Sequence, residues 1–148
     1  MRTIAGVKQA KEIQEELAPR LRWAITRIAR RLRQEAGTDL GPSQVAALAT
    51  IERYGPLSPS ELAELERIKR PTATRIVGHL EAAGLGERVK DPEDGRASIL
   101  SATGEAKMLL KRLRARKTAY LARRLAVMDA EDRRTLERAA ELLEGMLE

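Results

Sequence analysis

The chain has no cysteine and no phenylalanine, and its 148 residues include only one tryptophan, two tyrosines and one histidine. Without cysteine, disulfides, thiolate metal sites and thiol-based redox sensing are excluded together. A single histidine cannot supply a histidine metal cluster. No nucleophile–base pair, ligand-spaced carboxylate set or phosphate-cradling glycine loop is visible, so neither an enzyme nor a cofactor is expected. With so few aromatics, the core has to be filled by Leu, Ile, Val and Ala. No apolar run approaches the roughly 20 residues of a membrane span. The opening MRTIAGVKQAKEIQEEL is charged too early for a secretory leader, so a cytoplasmic protein without a membrane partner is expected.

Positive charge is plentiful. Lys and Arg number 28 against 22 Asp and Glu, giving a net charge of +6 and a pI near 10.1, a balance that favours polyanionic partners. Arg20 to Arg33 holds six basic residues and no acid, and Lys107 to Arg124 holds eight and no acid. A solvated helix face explains such a run equally well. A second reading is a helical interaction module that docks an acidic protein on the 107–124 face. Ala, Leu, Glu and Arg dominate, all good helix formers, and the length suits one domain.

Apolar periodicity predicts a long amphipathic helix over 10–36, through Ile13, Leu17, Leu21, Ile25, Ile28 and Leu32. Pro19 lies inside it, as a kink or a second start. A second helix opens at Gly41-Pro42-Ser43 and closes at Tyr54-Gly55-Pro56. Ser58-Pro59-Ser60-Glu61 is a capping box with proline at the first helical position. The short helix that it starts is followed closely by one from Arg70-Pro71 to Gly84, and the pair has the spacing of a helix-turn-helix. Glu66-Arg67-Ile68 forms the turn without the frequent glycine. Leu85–Lys90 and Ala97–Ser101 read as strands joined by KDPEDGRAS, a hairpin that makes a winged helix. Thr103 caps a helix of about 25 residues, near 37 Å long, and Asp129 caps a last one. The expected fold is mainly α with a small β-hairpin wing.

The segment RPTATRIVGHLEAAGL carries most of the functional information. At 100° per residue, Ala73, Ile76, Val77 and Leu80 form the core stripe. Pro71, Arg75, Gly78, His79 and Ala82 fall opposite, flanked by Thr72 and Thr74. Arginine, hydroxyls and small side chains allow close approach to a surface and hydrogen bonding with it. Lys69 and Arg70 sit at the helix N-terminus, where free N–H groups favour phosphate. Arg75 suits guanine O6 and N7, the threonines suit bases or thymine methyls, and His79 is a further candidate contact. In the wing, Arg96 is placed for the adjacent minor groove, Asp94 for holding its guanidinium, and Lys90 for a phosphate. Asp91 and Pro92 shape the turn.

SPSELAEL, RPTATRIVGHLEAAGL, the wing pattern Asp91-Pro92-x-Asp94-Gly95-Arg96 and the following Leu100-x-x-Thr103 resemble the MarR family of bacterial transcription regulators. The resemblance implies a single domain over 1–148. In it, a winged helix-turn-helix over 40–103 binds double-stranded DNA, and dimerisation helices occupy 1–36 and 104–148. It implies a homodimer that reads a palindromic operator, most simply as a repressor, and it marks Asp94, Arg96, Pro71, Thr72, Thr74 and Arg75 as contacts. Apolar stripes at Ile4, Val7 and Ile13 and at Leu136, Ala139, Leu143 and Met146 agree with dimerisation. Many members release DNA on binding small aromatic acids, for which Trp23 and Tyr120, with Arg27 as carboxylate partner, are the candidates here. Glu93, where many members are basic, makes the wing tip less positive, and Gly86, in place of a β-branched residue, is expected to loosen the first wing strand.

Overall fold

The computed structural model describes residues 3–96 and 98–148. Its elements run α1 (Ile4–Glu12), a π-helical turn (Ile13–Leu17), α2 (Ala18–Ala36), α3 (Pro42–Tyr54), α4 (Pro59–Glu66), α5 (Arg70–Ala82), β1 (Gly86–Lys90), β2 (Ser98–Ala102), α6 (Gly104–Ala126) and α7 (Ala130–Gly145). The helix predicted over 10–36 therefore begins earlier and runs unbroken into Pro19. Proline has no N–H to donate, and its ring crowds the turn before it. A wider π turn precedes it, with the Ala18 N–H reaching back five residues to the Ile13 carbonyl, and the rod continues. Gly37 then takes a left-handed φ of 64° and ends α2.

The core lies in the middle of the chain. Leu48 and Ile51 of α3, Leu62 of α4, Ile76, Val77 and Leu80 of α5, Leu100 of β2 and Leu110 of α6 are buried in one cluster. At about 1.5–3 kcal/mol for each fully buried aliphatic side chain, this cluster is what holds the lobe. The helix α6 continues out of the lobe and packs along α2. By contrast, α1 and α7 bury no residue.

The wing is an antiparallel hairpin, registered Gly86 to Ala102 and Lys90 to Ser98. The second strand, predicted from Ala97, is described from Ser98; Ala97 lies outside the described residues. One feature escaped the sequence reading. Leu57, between two prolines, exchanges main-chain hydrogen bonds with Leu100 at 3.0 and 2.8 Å, which ties the α3–α4 connection to β2. Gly86, expected to loosen the first wing strand, pairs with Ala102 at its start. It is buried, and a Cβ there would come within 2.8 Å of the fully buried Leu100 side chain, so the glycine makes room for a core residue.

Candidate nucleic-acid interface

In the helix-turn-helix, α4 is fixed at both ends and α5 at its C-terminal end. The Ser58 hydroxyl accepts the Glu61 N–H, and the Glu61 carboxylate accepts the Ser58 N–H, each at 3.1 Å, a reciprocal capping box. At the exit of α4, Arg67 takes the left-handed conformation, φ 53°. The Ile68 N–H returns to the Ala63 carbonyl and the Arg67 N–H to that of Glu64, closing a Schellman turn with arginine in glycine's place. The same closure ends α5 at Gly84, and the Thr103 hydroxyl donates to the Gly84 carbonyl at 2.9 Å, joining α5 to the start of α6.

With its C-terminal end so held, α5 turns Ala73, Ile76, Val77 and Leu80 into the core. Pro71, Thr74, Arg75, Gly78 and His79 are exposed, and Thr72 is half-buried. Lys69 and Arg70 stand at the N-terminus, whose N-cap residue offers no side-chain oxygen to the free N–H groups. Glu81 on α5 and Arg88 on β1 form an ion pair at 2.7 Å, which braces the wing root against this helix. Neither residue was among the sequence candidates, because only the folded hairpin brings them together. His79 is not free either, since its Nδ1 lies 3.1 Å from Gln44 Nε2 on α3.

At the wing tip, the expected Asp94–Arg96 side-chain pair is not formed. Asp94 Oδ1 accepts the main-chain N–H of Arg96 at 3.1 Å, and Asp91 Oδ1 accepts that of Glu93 at 2.9 Å. A short carboxylate meets the N–H two residues ahead before it meets a guanidinium, so both aspartates shape the turn's backbone. Lys69, Arg70, Arg75, Lys90 and Arg96 have no carboxylate within 4.0 Å among the described residues. The cations of the predicted site are thus available to an outside anion.

The long basic run is employed differently. Arg114 pairs with Glu52 at 2.9 Å, Arg116 donates to the Ala36 carbonyl at 2.8 Å, and Arg124 lies over the Tyr120 ring at 5.4 Å. The first two contacts fasten α6 to α3 and α2, the third lies within α6, and together they leave less of the 107–124 face for a protein partner.

Of the aromatic candidates, Trp23 lies on α2 and Tyr120 on α6. Trp23 is exposed with Arg27 over its ring, while Tyr120 lies between Arg31 and Arg124. Hydrogen bonding by Arg124 holds the Tyr120 hydroxyl below the usual tyrosine range against desolvation, with the charge of Arg124 and the hydrogen bonding and charge of Arg31 adding smaller lowering effects. A cavity of 730 Å³ opens instead between α2, α3 and α6. Leu32, Leu40, Val45 and Leu113 form its apolar wall, and Arg30, Arg33 and Lys117 give it basic walls. Trp23, Arg27 and Tyr120 do not line it. Its residues are scattered along the sequence, and aliphatic walls leave no mark that distinguishes them from core.

Likenesses to known proteins fall on this same architecture. The MarR family profile matches residues 40–98. A helix-turn-helix transcriptional regulator of Mycobacterium tuberculosis is 32% identical over 133 residues, 89% of this chain and 93% of its own. A transcriptional regulator protein of Pseudomonas aeruginosa, 33% identical, superposes with a TM-score of 0.80 over 90% of this chain and 94% of its own. A Staphylococcus aureus MepR mutant bound to an oligodeoxyribonucleotide shares the fold at 15% identity and a TM-score of 0.69, over 89% of this chain and 98% of its own. No helix among the described residues is long and apolar enough to cross a membrane. Because the likeness embraces the flanking helices as well as the winged lobe, the chain belongs to the MarR family of DNA-binding transcriptional regulators, whose members here are regulators and not enzymes.

Proposed function

We propose that this protein is a homodimeric, sequence-specific repressor that lays α5 in the major groove and Arg96 in the neighbouring minor groove of each half of a palindromic operator. The observation that carries this reading is the contrast within α5: one stripe is fully committed to the core, and the other holds Arg75 and hydroxyls with no acidic partner. Lys69, Arg70 and Lys90 contact phosphates. Pro71, Thr72, Thr74 and Arg75 face the bases, with His79 one turn further on, and Asp94 fixes the turn that carries Arg96. Two copies joined through α1, α2 and α7 place their α5 helices one duplex turn apart, roughly 34 Å. Repression follows from covering promoter DNA.

Effector release is part of the same proposal. A small apolar or aromatic acid fits the cavity between α2, α3 and α6, its ring against Leu32 and Val45 and its carboxylate toward Arg30, Arg33 or Lys117. This replaces the cavity built on Trp23, Arg27 and Tyr120. Selection of bound duplexes from a random pool, repeated with aromatic acids present, tests the function. A palindromic motif lost on acid addition is the expected result; recovery of no motif would refute sequence-specific reading.

A further inference from the structure

The histidine on the recognition face is held by a residue of another helix. Gln44, in the first turn of α3, accepts the Gly41 N–H on its Oε1 at 3.3 Å. A main-chain N–H requires an oxygen, so this contact fixes which way the amide points. The atom turned to His79 Nδ1, 3.1 Å away, is therefore Nε2, which can only donate. Nδ1 has to accept that bond, and the proton of the neutral imidazole then resides on Nε2. That vertex of the ring points away from Gln44. His79 is exposed, four residues after Arg75 and on the same face of α5, and no carboxylate among the described residues lies within 4.0 Å of its ring.

We infer that Gln44 is a positioning residue for DNA recognition, setting the tautomer of His79 so that the imidazole reads the duplex only as a hydrogen-bond donor. The Nε2–H then meets an acceptor exposed in the major groove, namely a purine N7, guanine O6 or thymine O4, at a base pair beside the one read by Arg75. Cytosine, whose major-groove edge offers a donor amine, is disfavoured on the strand that His79 faces. Gln44 touches no base in this scheme. It acts as an outer partner that orients a histidine by engaging its other ring nitrogen. The inference rests on the proposed reading of bases by α5.

Because His79 is the only histidine of the chain, the full-length protein gives a single imidazole pattern in a long-range nitrogen–proton spectrum. The expected result is the Nε2–H tautomer in the wild type and a tautomer mixture in Gln44→Ala. Duplex selection on the same proteins adds the functional arm. His79→Ala should lose base preference at one position per half-site, about three- to tenfold for a single hydrogen bond. Gln44→Ala should weaken preference at that same position and leave the others intact, which also shows that it folds. An Nδ1–H tautomer in the wild type overturns the inference, as does a motif unchanged in His79→Ala. A wild type that selects no motif at all overturns the reading of bases by α5 as well, so the two failures are distinguishable.

Discussion

The winged lobe and the terminal helices use the same aliphatic residues to opposite ends. In the lobe, Leu48 and Leu80 are 0% exposed and Leu100 is 1% exposed, so the lobe closes its own core. In the arms, Ile4 is 88% and Met146 73% exposed, with Val7, Leu136 and Leu142 also open to water. Leaving such stripes solvated forgoes the hydrophobic stabilisation that the lobe obtains, and another chain is the natural cover. The lobe thus folds on its own side chains, whereas the arms leave their apolar stripes uncovered, as the proposed homodimer requires. In the proposed dimer the lobe is the reading head, and the arms form the stem that sets the spacing between two heads.

The contrast can be broken from either side. The largest expected effect is in the lobe, where Leu80→Ala should cost about 2–5 kcal/mol of unfolding free energy in urea titration. The paired arm substitution Leu136→Asp with Leu142→Asp should leave the lobe folded by circular dichroism and halve the mass seen by light scattering. On the reading face, Arg75→Ala and Arg96→Ala should each weaken operator binding by about 1–3 kcal/mol without changing the urea midpoint. Smaller still, Arg67→Gly relieves a left-handed arginine and should raise stability by roughly 1 kcal/mol. Glu81→Gln, which removes an exposed ion pair between α5 and the wing root, should cost under about 1 kcal/mol.

How much of this was legible in the sequence depends on the range of each interaction. The division of α5 into a buried and an exposed stripe follows from a 3.6-residue period, and all four predicted core positions are buried. The Ser58–Glu61 box and the Thr103 and Asp129 caps are local signals and are observed as such. What escaped is either tertiary or chemically ambiguous. The Leu57–Leu100 bridge involves one extended residue with no periodicity, and Gln44 and His79 are 35 residues apart. Asp94 was rightly placed in the turn, but its carboxylate had two available donors on Arg96, and the main-chain N–H took it. The cavity between α2, α3 and α6 has aliphatic walls, which carry no signal in the sequence comparable to that of an aromatic residue.

The claim that α5 and the wing grip the duplex together is tested most directly by hydroxyl-radical footprinting of the selected motif with wild-type protein and Arg96→Ala. The account predicts two protected patches related by two-fold symmetry, their half-site centres about 10 base pairs apart, with the minor-groove protection missing in the variant. A single patch, or protection spread evenly along the duplex and indifferent to Arg96, would contradict it.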